Sequence, residues 1–171
     1  EFIVAIGCFY IFVSHIFTTS NPFIDLNIFL NKNYFLGLLI MFLFGSILWT
    51  PLILYPPMMQ ELQNYPEDLT GLFLALRGLG TLCGSTLLVF LNKKLDPRVI
   101  LTFGFLLQGI AGFYMSHFDI NLSAFELAWT NSLAGLGVGF VWVPLTLITF
   151  NTLDKKYLNE ASAFWHLIRN I

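Results

Sequence analysis

Residues 69–91 read LTGLFLALRGLGTLCGSTLLVFL, residues 92–98 read NKKLDPR, and residues 99–118 read VILTFGFLLQGIAGFYMSHF. Two apolar runs of roughly twenty residues thus flank a short loop that holds Lys93, Lys94 and Arg98. A helix of about 20 apolar residues spans the roughly 30 Å of hydrocarbon in a bilayer. The loops that face the cytoplasm carry an excess of Lys and Arg. The stretch therefore reads as a helical hairpin that crosses a membrane twice, with its turn in the cytoplasm.

The pattern repeats outward from this hairpin. Lys32 lies in the first gap between apolar runs, and Lys155 and Lys156 lie in the fifth. The second gap contains Glu61, Glu67 and Asp68 without a Lys or Arg, and the fourth holds only Asp119 and Glu126. Basic residues in every second gap are the signature of repeated crossing. Gaps one, three and five are expected inside, and gaps two and four outside.

Hydrophobic residues make up 57% of the 171, charged residues 11%, and the mean hydropathy is +0.76. Soluble domains need about a quarter charged residues to cover their surface. Spans are expected over 34–59, 69–91, 99–118 and 127–150. A shorter apolar run covers 3–17, and a further amphipathic or apolar helix starts at Ala161 and stops in mid-element at Ile171. Runs of this length are helices, because transmembrane strands show about ten residues of alternating polarity instead. The expected class is all-α, a polytopic helical bundle in the lipid bilayer. Residues 1–20 are expected to end a preceding transmembrane helix, 21–33 to form a cytoplasmic connection, and 34–171 to belong to one bundle. Both ends fall inside an element, so the chain is expected to be a piece of a larger protein.

Several function classes are excluded by the same reading. The net charge of -2 says nothing about partners in a chain of this kind, and no basic patch points to nucleic acid. Cys8 and Cys83 lie in apolar runs, where a thiol acts as a small hydrophobe. His15, His117 and His166 have no pair spacing for a metal, and the topology separates His117 from the other two. Neither a nucleophile elbow nor a phosphate loop is present. The chain is not expected to be an enzyme, and no cofactor or metal is expected.

Arg77 is the informative polar residue. A charge deep in a membrane helix faces a cavity or a partner, or else snorkels along its stem to the headgroups. Gly78 and Gly80 beside it would let another helix approach closely. Pro51, Pro56 and Pro57 each remove a backbone donor. They break the helix toward a cavity, or the last two simply end it at the outer interface. Gly135 and Gly139 lie four apart on one face, a spacing that permits close packing, and Pro144 adds a kink. These glycines serve packing alone or a bending motion. Asn131 and Gln108 are uncharged polar residues that could bond across helices or touch a substrate.

Four stretches carry a resemblance to a known family: Asn21 to Phe35; Gln60 to Gly80, with Asn64-Tyr65, Thr70-Gly71 and Arg77-Gly78-Leu79-Gly80; Gly135 to Thr146; and Asn159-Glu160-Ala161-Ser162-Ala163-Phe164 through Ile168-Arg169-Asn170. The chain resembles the C-terminal half of a major facilitator superfamily transporter, of the fourteen-span drug:proton antiporter subfamily (EmrB/QacA type). The resemblance maps it to spans eight through twelve and the start of thirteen. It implies alternating access about a midplane site between two helical bundles. It also implies a proton gradient as the driving force, a small-molecule substrate, multidrug efflux from the cell (inner) membrane, the N-terminal half as partner, and a periplasmic adaptor. The coupling carboxylates would lie in that N-terminal half. Arg77, Tyr55, Trp142 and Asn131 would line one wall of the cavity, with Pro51, Gly139 and Pro144 allowing helices to bend. A relative that carries a siderophore or a lipid, and a truncated piece that does not transport, are the alternatives. The chain departs from the family at Lys93 and Asp96, which stand where the cytoplasmic signature has Asp and Gly, and at Asn64, in the place of a turn glycine.

Overall fold

The computed structural model describes residues 26–92, 94–118 and 123–170, together with Ile6, Gly7, Tyr10, Ile11, Ser14 and His15. Residues 21–25 of the connection expected over 21–33 lie outside the described residues, as do Cys8, Lys93, Asp119 and most of the run over 3–17. The helices are α1 (Lys32–Pro57), α2 (Glu67–Leu91), α3 (Pro97–Met115), α4 (Ala124–Phe150) and α5 (Leu158–Arg169). Short 3-10 turns occupy Leu26–Leu30 and Lys155–Tyr157. None of the described residues is in a strand. The helices α1 to α4 are long and apolar enough to cross a membrane, and α5 starts the further helix expected at the end of the chain.

The helix starts follow from local chemistry. Asn31 caps α1, its side-chain oxygen accepting from the backbone N–H groups of Asn33 and Tyr34 at 3.1 and 3.3 Å. Asp96 caps α3 in the same way through Arg98 N–H, with Pro97 next in line, where its missing donor is no loss. Ser123 and Glu126 cap α4 reciprocally. Glu67 and Asp68 place negative charge at the positive end of the α2 dipole.

The helix α4 is the centre of the bundle. Within its apolar window 56% of residues are buried, against 22–28% for the other three spans, and it packs on α1, α2 and α3. Glycines bring the backbones together. A Cβ on Gly84 of α2 would lie 2.6 Å from Leu136 O, and one on Gly139 of α4 would lie 2.6 Å from Thr81 O. A Cβ on Gly80 would collide with Ser132 O, and one on Gly135 with Arg77 O. Gly137 sits between these glycines in sequence but faces α3, where a Cβ would meet Gly104 O at 3.0 Å. Residues two apart in a helix point roughly 200° away from each other. One Gly-x-Gly-x-Gly run thus serves two neighbours.

At the basic end of the bundle, α1 is tied to α4 and α5. Asn31 Nδ2 donates to Thr152 O at 2.8 Å, and Asn33 Nδ2 donates to Thr152 Oγ1 at 3.3 Å. The buried Tyr34 hydroxyl donates to Ala161 O at 2.8 Å. Gly37 lies against the Thr149 side chain, and Gly45 against Arg169 O.

The prolines of α1 do not break its winding, although the α-helix itself ends at Pro57. The helix runs through Pro51, Pro56 and Pro57 and then widens into a π turn over Met58–Leu62. Each proline leaves one carbonyl of the preceding turn without its usual donor. Beyond Pro57 the Met58 N–H is shared between Leu54 O and Tyr55 O, so the chain stays wound. The helix α4 likewise continues through the buried Pro144 to Phe150.

Asn64 turns the chain toward α2 with φ 54°, the left-handed region that glycine favours and Asn tolerates. Asn64→Gly is expected to leave the unfolding midpoint of the purified protein in detergent nearly unchanged. Asn64→Val is expected to lower stability by about 1–2 kcal/mol, because a β-branched residue fits that region poorly. Equal midpoints for the two variants would contradict the assignment.

Candidate functional site: a buried arginine in an apolar cavity

Arg77 lies ten residues in from Glu67, the first residue of α2. At 1.5 Å per residue that is about 15 Å along the axis, close to the middle of the helix. Its side chain is only 5% exposed, and Nη2 donates to Leu48 O of α1 at 3.3 Å. The guanidinium therefore points across the helix interface and does not snorkel outward. Nη1 is buried and has no partner among the described residues.

The Tyr55 ring packs in a buried cluster with Met59, Phe73 and Leu127, and its hydroxyl is buried without a partner among the described residues. Asn131 on α4 is fully buried, with Nδ2 donating to Leu127 O at 2.8 Å and Oδ1 unpartnered among the described residues. Gln108 on α3 is buried with Nε2 likewise unpartnered among them. A polar group removed from water without a compensating bond costs several kcal/mol against a hydrocarbon reference. Four helices thus carry unused hydrogen-bonding capacity into the bundle interior.

A cavity of about 300 Å³ opens beside Arg77, lined by Leu48, Leu52, Leu74, Gly78, Thr81 and Val138. Its walls are apolar apart from the guanidinium and the Thr81 hydroxyl, which is occupied by Arg77 O. Gly78 has nothing within 4 Å of its Cβ position. It therefore leaves space in the cavity, and Gly80 and Gly84 carry the close helix approach. A second cavity of about 450 Å³, between α1 and α3, is lined by Pro51, Tyr55, Gly112 and Met115 among others.

The structure places Arg77 at the first of these cavities and Tyr55 and Pro51 at the second, with Asn131 buried on α4. It does not bring Trp142 there. The Trp142 ring lies 5.1 Å from the Arg169 guanidinium and packs on the core formed by α1, α4 and α5. Gly135 and Gly139 hold α4 against α2, and Pro144 is fully buried. Sequence reasoning missed Gly84, although its four-residue spacing from Gly80 is the signal already read at Gly135 and Gly139. The Leu48 carbonyl that receives Arg77 has no sequence signal at all. His117 is exposed, with Nδ1 2.8 Å from Phe113 O, and His15 and His166 are also exposed. Among the described residues no three His, Cys, Asp or Glu side chains converge on a point.

The chain is similar to the multidrug export protein EmrB of Escherichia coli K12, 27% identical over 155 residues that cover 90% of this chain and 30% of the relative. It is 26% identical over 161 residues to the colistin resistance protein EmrB of Acinetobacter baumannii, covering 94% and 31%. It is 24% identical over 167 residues to the fatty acid resistance protein FarB of Neisseria gonorrhoeae, covering 98% and 33%. The chain thus spans about a third of the length of the curated relatives it matches. Its residues 2–171 match the profile of the Major Facilitator Superfamily. A multi-pass helical bundle packed on a central glycine-rich span and matched over that length places this chain in the Major Facilitator Superfamily.

Proposed function

We propose that this chain forms one wall of a secondary-active transporter that exports drugs or other amphipathic solutes across the inner membrane by alternating access. The observation that carries the reading is the buried Arg77 beside an apolar cavity, in a chain whose relatives are named for multidrug export and for resistance to colistin and fatty acids. A buried charge in a membrane helix marks a substrate or ion pathway more often than a structural position. The full transporter supplies the N-terminal half, whose carboxylates take the coupling proton, and a periplasmic adaptor can extend the path outward. The fatty acid resistance relative supports a second reading, in which the solute is a lipid.

The test is accumulation of a dye panel in cells that express the full-length protein, with and without a protonophore. Lower accumulation that the protonophore abolishes is the expected result. Equal accumulation in expressing and control cells, with the protein present in the membrane, would refute broad drug efflux and favour a narrow solute or a piece that does not transport.

A further inference from the structure

We infer that Arg77 Nη1 anchors a subsite for the anionic head of an amphiphile, whose apolar tail occupies the cavity walled by Leu48, Leu52, Leu74 and Val138. The inference rests on the transporter reading above and narrows it to a substrate class.

The argument starts from charge. A guanidinium stays protonated under all conditions a cell meets, so its burial cannot be relieved by losing a proton. Here it is nine-tenths buried, and one of its arms is held by a neutral carbonyl, Leu48 O. The other arm has no partner, and no carboxylate forms an ion pair with it among the described residues. A buried cationic donor with no acceptor is complementary to an oxyanion, which would accept from it.

The shape of the site supplies the rest. The cavity beside the guanidinium is lined almost wholly by aliphatic side chains, and its volume of about 300 Å³ is at the lower end for small-molecule sites. Gly78 keeps one side open, since any larger residue would project into that space. A charged anchor at the edge of an apolar chamber fits an anionic head joined to a hydrocarbon tail. A cationic dye would meet like charge there. The same oxyanion chemistry could come from a protein carboxylate on the other half of the transporter, and the two sources give different results below.

The experiment is equilibrium binding of radiolabelled octanoate to the purified full-length transporter in detergent, with octanol and octyltrimethylammonium as competitors. The wild type is expected to bind octanoate roughly 10- to 100-fold more tightly than either competitor, the range of a charge-assisted hydrogen bond. Arg77→Gln should abolish this preference while octanol binding stays the same. Gly78→Leu should weaken all three ligands together. Wild-type protein without head-group preference, or a preference that survives Arg77→Gln, would overturn the subsite. Were the anion a protein carboxylate, Arg77→Gln would lower the unfolding midpoint and the wild type would show no preference, which also overturns it. Binding is measured without a gradient, so failure of proton-coupled drug efflux would leave this result standing.

Discussion

Gly135→Val in the full-length transporter is expected to remove most of the folded protein from the membrane. A Cβ at Gly135 would run into the backbone carbonyl of Arg77, and that carbonyl cannot swing away as a side-chain tip would. Gly139 repeats the arrangement one turn later, 2.6 Å from Thr81 O and 2.7 Å from Ser85 N, and Gly80 and Gly84 mirror both from α2. Helix association in lipid has no hydrophobic driving force, so it depends on close packing of this kind. Overpacking a core costs about 1–3 kcal/mol where side chains can shift. The rigid backbone here puts the valine variant at the upper end or beyond. Gly139→Ala should show a milder loss. Gly109→Ala is the control, because nothing lies within 4 Å of that position and alanine is the better helix former by up to about 1 kcal/mol. Fluorescence-detected size exclusion at matched expression reads the outcome. Wild-type amounts of monodisperse Gly135→Val protein would mean that α2 and α4 do not need this contact.

The same glycines mark how far the sequence could be read. Spans expected over 69–91, 99–118 and 127–150 appear as Glu67–Leu91, Pro97–Met115 and Ala124–Phe150. The length of an apolar run fixes a span, and capping residues such as Asp96 and Ser123 fix its start within a few positions. Direction around the helix axis was much less legible. In α1 and α4 apolar residues face every side, so periodicity does not tell the lipid face from the core face. That is why Trp142 could be expected in the cavity and yet pack beside Arg169. Contacts distant in sequence, such as the Tyr34 hydroxyl on Ala161 O and Asn31 on Thr152 O, left no local trace. Prolines were legible only in part. Removal of a donor is certain from sequence, but the wider turn over Met58–Leu62 that keeps α1 wound depends on its neighbours.

Arg77→Ala is expected to separate transport from folding. For an ordinary buried residue, truncation lowers both together. Arg77 differs because an arginine near the centre of a membrane helix costs about 2.5–3.5 kcal/mol on insertion scales, a cost the alanine variant does not carry. The side chain returns only part of it, through one 3.3 Å bond to a neutral carbonyl. Abundance and unfolding midpoint of the variant should therefore equal or exceed those of the wild type. Transport should fall about tenfold or more, the consequence of removing a charge-assisted interaction from a low-dielectric site. Arg77→Lys should lie between the two. An ammonium keeps the charge but lacks the fork that can hold Leu48 O with one nitrogen and present another to the cavity. The measurement is substrate efflux from loaded cells or proteoliposomes at equal protein. Unchanged efflux by Arg77→Ala would remove Arg77 from the transport pathway. A parallel loss of abundance and efflux would make it a structural tie between α1 and α2. Retained protein with lost efflux is the pattern of a residue kept in the membrane for its function at the expense of stability.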